Sequence, residues 1–271
     1  MTARSWTYLA ILLGLVFHGA LLPFTYGQTY DAYIHMFFGN HYSMSWFDPW
    51  EPRWYTGFTV TAYPPGSHQA LGLLIHLIDM RIAFILMQLL AVALLITGVF
   101  RFSRLWVNDK AASYAAMLCA FSSSISETLH IFGQLPTLLS IALFLNAIPH
   151  ISAWIENGKK FDLILAIFLT AATTSVHHVT PLFGTVFFVA PIGVAAWLSN
   201  LRRRKNIKPS ASSCADFCWR QVRVTGVADW NVRAGQALAR PLLIKNGVLS
   251  SMPIRPPDLT PCLDKILADN S

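Results

Sequence analysis

The sequence predicts an all-α, polytopic transmembrane bundle of about six spans, with external juxtamembrane helices and a short, poorly structured C-terminal tail. Three observations predict it. Hydrophobic residues make up 54% of the chain and charged residues only 12%, whereas a soluble globular chain carries about 25% charged residues. Apolar runs of near-spanning length recur at residues 6–24, 82–100, 111–126, 135–155, 161–176 and 179–198. The basic residues between them are one-sided. If 82–100 runs from outside to inside, Arg4, Arg101, Arg104, Lys110, Lys159, Lys160, Arg202, Arg203, Arg204 and Lys205 all fall on the cytoplasmic side. Only Arg53 and Arg81 remain outside, as positive-inside topology requires.

The first run ends at Pro23-Phe24-Thr25 without an A-x-A-like cleavage site, so it reads as an uncleaved helix rather than a signal peptide. An external loop follows over residues 25–80. Within it, residues 69–78 are too short to cross. A crossing there would also put Arg101, Arg104 and Lys110 outside, so the segment reads as a helix lying at the outer surface. The runs at 111–126 and 161–176 are the shortest of the six. Beyond Lys205 the composition changes. Asn206–Ser271 has no spanning run and no glutamate, yet it holds three of the four cysteines: Cys214, Cys218 and Cys262. C-x3-C with one distant cysteine is not a zinc pattern, and a cytoplasmic location disfavours disulfides. The abrupt shift after a stop-transfer cluster suits a disordered or frameshifted tail on a truncated fragment.

No Walker loop, Rossmann fingerprint or G-x-S-x-G occurs. The net charge of +7 is accounted for largely by the inside-facing loops and calls for no nucleic acid. No internal repeat points to an inverted-repeat transporter.

The chemistry concentrates between Tyr30 and His68. That stretch holds Asp31, Asp48, Glu51, Arg53, three histidines and twelve aromatic residues. Asp31 and His35 are four apart and share a helical face, either as a solvated pair or as a base oriented by a histidine. Trp46, Trp50 and Trp54 suit an interfacial aromatic belt and sugar stacking equally. Further on, Glu127-Thr-Leu-His130 precedes Phe132-Gly-Gln134-Leu-Pro, an abrupt return toward the bilayer. His177 and His178 end a run of hydroxyl residues, and adjacent histidines so close to hydrocarbon are costly without a purpose. On this topology Asp31, His35, the tryptophan-rich loop, Tyr63, Glu127, His130, Gln134, His177 and His178 all emerge on the outer face as one external site, and Asp31, His35, Glu127, His130 and His177 are expected to approach one another around an external cavity. Metal ligation has no H-x3-H or C-x-x-C support; a divalent cation is left open as a cofactor. His18 and His76 read as packed or snorkelling.

Taken in order, Y-D-A-Y-I-H, W-x3-W-x3-W-Y-T-G, Y-P-P-G-S-H, F-G-Q-L-P and H-H-V-T-P resemble the GT-C class of polytopic membrane glycosyltransferases. They are most similar to bacterial membrane proteins labelled 6-pyruvoyl-tetrahydropterin synthase-related, a label that implies no pterin chemistry. The resemblance covers about Met1 to Lys205. It implies an enzyme of the bacterial plasma membrane whose external, periplasmic face transfers a sugar from a polyprenyl-phosphate donor to an acceptor. Asp31 would be the base, with His35 and Glu127 beside it. Arg53, Arg81, His177 and His178 would be candidates for the lipid phosphate, and Trp50, Trp54, Tyr63, His130 and Gln134 for the rest of the substrate. The alternative is a non-catalytic membrane protein, either a transporter or an inactive fragment; a transporter would place polar residues in mid-helix, not at helix ends.

Overall fold

The computed structural model describes residues 3–204; the expectations for the tail, Asn206–Ser271, lie outside the described residues. Helix α1 (Ala3–Thr25) leads through a single 3-10 turn to α2 (Ala32–Met44). A two-stranded antiparallel hairpin follows, β1 (Trp50–Glu51) with β2 (Phe58–Thr59). Then come α3 (Gly66–Ile75), α4 (Met80–Ser103), α5 (Asp109–Ala120), α6 (Ser123–Glu127), α7 (Leu135–Asn157), α8 (Lys160–Val176), α9 (Val179–Gly184) and α10 (Ala190–Arg204). π-helical turns occupy Thr128–Phe132 after α6 and Thr185–Val189 between α9 and α10.

Helix starts follow local chemistry. The Asp79 carboxylate accepts from the Arg81 and Ile82 amides, Asn108 caps α5 and Ser122 caps α6. Short polar side chains at these positions satisfy amides that have no helical partner. Gly158 in the left-handed region closes α7.

Four segments are long and apolar enough to cross a membrane: Arg4–Gln28, Met80–Ser103, Leu135–Asn157 and Val179–Leu198. The runs at 111–126 and 161–176 form shorter helices, α5 with 12 residues and α8 with 17. Helix α5 stops at Ala120 because Phe121 and Ser122 leave helical geometry and Ser122 caps a new helix. The surface helix expected at 69–78 is α3, which begins three residues earlier.

The core runs along α4, which packs against α7 and α1; α7 also packs against α8, and α5 against α1 and α4. Phe84, Met87, Ala91, Val92, Leu95 and Ile96 of α4 meet Leu135, Leu138, Leu139 and Ala142 of α7 in one buried cluster. Large side chains facing outward on α8, α9, the π turn after it and α10, including Phe168, Phe183, Phe187 and Trp197, remain exposed, as a lipid-facing surface would be. Polar residues do occur inside the helices, contrary to the expectation that they lie only at helix ends. Gln88 is fully buried in mid-α4, and neither atom of its amide finds a partner among the described residues. At the far end of the same bundle Asn146 donates to the Leu94 carbonyl at 2.8 Å. There Arg101 donates to Asn146 and His150, and His150 bonds Asp162. That polar chain ties α4, α7 and α8 together.

Candidate functional site

A cavity of about 250 Å³ opens where the start of α2, the start of α3, the start of α7 and the end of α8 converge. Asp31, His35, Tyr63, His68, Gln134, Thr137 and His177 line it, with Ile34 and Phe38 as apolar wall. Thr137 and His150 are thirteen residues apart on α7, about 20 Å along a helix. The cavity and the Arg101–His150–Asp162 chain therefore sit toward opposite ends of the bundle.

The F-G-Q-L-P stretch shapes one wall. The Tyr30 and Asp31 amides donate to the Ile131 and Phe132 carbonyls at 3.1 and 3.0 Å, stitching the start of α2 to the turn before α7. Gly133 has φ +68°, and a Cβ there would strike the Thr29 hydroxyl. Both the positive φ and the close approach exclude a side chain. Gly133→Ala should cost about 1–3 kcal/mol in strain and push Asp31 away from Gln134. A lower unfolding temperature with faster amide exchange at Tyr30 and Asp31 is the expected result; an unchanged protein would refute the packing.

Asp31 occupies the N-cap position of α2, but its side chain caps no amide. Its carboxylate has no hydrogen-bond or ionic partner among the described residues, so its lone pairs face the cavity unspent. Tyr63 stands nearby, its hydroxyl pKa raised by burial and then by the Asp31 charge.

His35 is 6% exposed and His68 1%. Their rings stack, with His35 Nδ1 and His68 Nε2 3.0 Å apart. The Pro64 carbonyl acts to raise the His68 pKa. Burial and the neighbouring His68 push His35 down to about 3, and burial pushes His68 down to about 4 against the pull of that carbonyl. Both rings are neutral near pH 7. The expected Asp31–His35 side-chain pair is therefore replaced by a His35–His68 pair; only the His35 amide bonds the Asp31 carbonyl.

His177 arrives from the end of α8. Its Nδ1 lies 3.0 Å from the Thr180 hydroxyl, which lies 2.6 Å from the Ser140 hydroxyl. Burial, then the adjacent His178, lowers the His177 pKa. His178 itself is exposed and does not line the cavity.

Two expected members are elsewhere. Glu127 is exposed at the end of α6 and His130 faces α1. The reason lies in α1. His18 is fully buried and must satisfy two ring nitrogens. Ala120, the last residue of α5, offers a carbonyl to one at 3.0 Å; His130 meets the other at 2.9 Å. The π turn at Thr128–Phe132 aims His130 there, where it also bonds Thr25.

The tryptophan-rich loop is a structural unit beside the cavity. Glu51 is fully buried. It accepts from Arg53 Nε at 2.8 Å, from the second guanidinium arm at 2.6 Å and from the Arg53 amide at 2.8 Å, and it contacts His41 Nδ1 at 3.0 Å. Those hydrogen bonds, from Arg53 first, hold its carboxyl down to about 2 against burial. Arg53 also donates to Asn40 and stacks over Phe37. Its charge is thus spent on the loop, and it does not line the cavity. Trp54 packs edge-on against Phe37 and Phe58 and stacks on Tyr55, and Trp50 lies over Gly57. Neither tryptophan lines the cavity, nor does Arg81, which is exposed in the first turn of α4.

Sequence reasoning did not single out His68, Thr180 and Ser140. His68 carried one signal, its place at the end of Y-P-P-G-S-H; the two hydroxyl residues carried none. Among the described residues no cluster of three histidine, cysteine or acidic side chains has metal-holding geometry. Comparison with family models, with curated proteins and with solved structures finds no match for this chain.

Proposed function

We propose that this chain is a membrane-embedded glycosyltransferase-like protein. It would move a sugar from a polyprenyl-phosphate carrier to a hydroxyl acceptor at the non-cytoplasmic face of the bacterial plasma membrane. The observation that carries this reading is the Asp31 carboxylate, unpaired among the described residues and facing a polar cavity at one end of an apolar helical bundle. A general base must reach the proton it removes, and a carboxylate not engaged by protein donors is free to do so. Tyr63 and Gln134 offer both donors and acceptors for orienting sugar hydroxyls. Arg81, which makes no ion pair among the described residues, is the guanidinium assigned to the departing lipid phosphate; Arg53, bonded to Glu51 and Asn40, is not assigned to it.

In this reading α5 together with α6, and α8, cross the membrane along with the four longer segments, both ends of the 3–204 unit are cytoplasmic, and α3 lies at the outer surface. Cysteine labelling in a cysteine-free background tests the topology. Ser126→Cys should react with an impermeant thiol reagent added outside intact cells, and Ser103→Cys only after permeabilisation. Labelling of Ser103→Cys from outside would reverse the orientation and remove the external site.

The activity test is transfer of radiolabelled sugar from a panel of polyprenyl-phosphate sugars by the full chain in liposomes. Transfer to a hydroxyl acceptor is expected. Its absence with every donor across the panel, in correctly oriented protein, would defeat the enzymatic reading.

A further inference from the structure

We propose that His130 is a positioning residue: bonded to His18 and Thr25 of α1, it fixes the turn whose carbonyls hold Asp31 at the cavity wall. The inference rests on the reading of Asp31 as the base. It gives His130 a role in that reading without contact with substrate.

Asp31 depends on its surroundings for its place. Its side chain caps no amide, so only the backbone holds it. The Tyr30 and Asp31 amides donate to the Ile131 and Phe132 carbonyls at 3.1 and 3.0 Å, and the Tyr30 and Phe132 rings stack. Those carbonyls belong to the last two residues of the π turn Thr128–Phe132. Whatever fixes that turn therefore fixes Asp31.

Two side-chain contacts fix it, both through His130. Its Nε2 lies 2.9 Å from His18 Nδ1, and its Nδ1 lies 2.8 Å from the Thr25 hydroxyl. The hydrogens follow from the partners. The Ala120 carbonyl, 3.0 Å from His18 Nε2, can only accept, so His18 Nε2 carries a hydrogen. His18 is fully buried and meets no carboxylate among the described residues, so its ring is neutral and its Nδ1 is bare. His130 Nε2 must donate to it. Burial and then His18 lower the His130 pKa, in keeping with a second neutral ring whose Nδ1 accepts. Thr25 has one hydroxyl hydrogen and two acceptors in reach, the Leu21 carbonyl at 3.2 Å and His130 Nδ1 at 2.8 Å; the shorter contact takes it. Both nitrogens of both rings are then used.

Thr25 is the last residue of α1, and one 3-10 turn, Tyr26–Gln28, separates it from the start of α2. This link is pinned to the same π turn at each end. The His130 ring holds Thr25, and the two carbonyls hold Tyr30 and Asp31. His18 ties the whole assembly to α1 a further two turns back. A base displaced by about 1 Å can lose roughly 10²-fold in rate, so the fit of this turn matters to turnover.

The test compares four variants of the full chain in liposomes: His130→Leu, His130→Gln, Thr25→Val and Asn146→Ala. Sugar transfer gives kcat and the donor KM, and amide exchange is resolved at Tyr30 and Asp31. His130→Leu should lower kcat roughly 10–10²-fold with the donor KM unchanged, and should speed exchange at both amides. His130→Gln, whose amide can donate to His18 and accept from Thr25, should restore most of both. Thr25→Val, which keeps the His18 contact, should show a smaller loss in the same direction. Asn146→Ala, at the opposite end of the bundle, should lower the unfolding temperature yet leave kcat and the two amides as they are. Native kcat or native exchange in His130→Leu, no recovery in His130→Gln, or an equal loss in Asn146→Ala would overturn the proposal. If His130→Leu does not fold, Thr25→Val and His130→Gln decide it. Absence of transfer with every donor defeats the enzymatic reading, and the exchange measurement then decides the placement of Asp31 by itself.

Discussion

Asp31→Asn should lower the rate of sugar transfer by roughly 10²–10⁴, the usual worth of a general base. Asparagine keeps the shape of the side chain and its place at the start of α2, where only the Asp31 backbone is used: its amide donates to Phe132 and its carbonyl accepts from His35. The fold should therefore survive, and the unfolding temperature should stay within a degree or two of the native value. Binding of the polyprenyl-phosphate donor should change little, because no cation stands beside Asp31 in the cavity. The measurement is a comparison of kcat and donor affinity in liposomes. Normal turnover would remove Asp31 from the mechanism. A matching loss of stability would recast Asp31 as a structural residue.

The second large effect concerns the loop. Arg53→Ala should destabilise the hairpin because it strips the fully buried Glu51 of its main counter-ion. Removing one partner of a buried pair costs about 3–5 kcal/mol; with the Arg53 side chain 40% exposed, roughly half of that is expected here. Faster proteolysis between Ser45 and Tyr63 and a lower unfolding temperature would show it. If Arg53 instead met substrate phosphate, the variant would fold normally and lose only donor affinity.

The same carboxylate sets an acid limit. Glu51 has a folded pKa of about 2, below its ordinary value of 4.5. The unfolded chain therefore binds more protons between those values, and the stability contributed by Glu51 is full above pH 4.5 and lost as pH falls toward 2. His35 and His68, lowered from 6.5 to about 3 and about 4, act in the same direction but start earlier, below pH 6.5. Acid unfolding should accordingly begin near pH 6 in the native protein. In His35→Gln it should begin later, since one buried imidazole no longer has to stay neutral. An acid transition confined below pH 4 in the native protein would contradict the burial of the histidine pair.

The sequence by itself determined the properties that are local along the chain. Apolar run length marked the four helices long enough to cross a membrane, because hydropathy is summed over consecutive residues and needs no partner. It also marked the F-G-Q-L-P turn and the short helix after Y-P-P, because Gly and Pro act on their own backbone. It picked Asp31, His35, Tyr63, Gln134 and His177, which do share a cavity. Only the tertiary structure decided what each polar group is for. Arg53 was a candidate cation until Glu51, Asn40 and Phe37 were seen to hold it. His130 left the site because His18, 112 positions away, lacked a second partner. His35 turned from Asp31 to His68, 33 positions away. An imidazole or a guanidinium takes its role from the group it pairs with. Those partners are brought together by helix packing, which no pattern along the chain encodes.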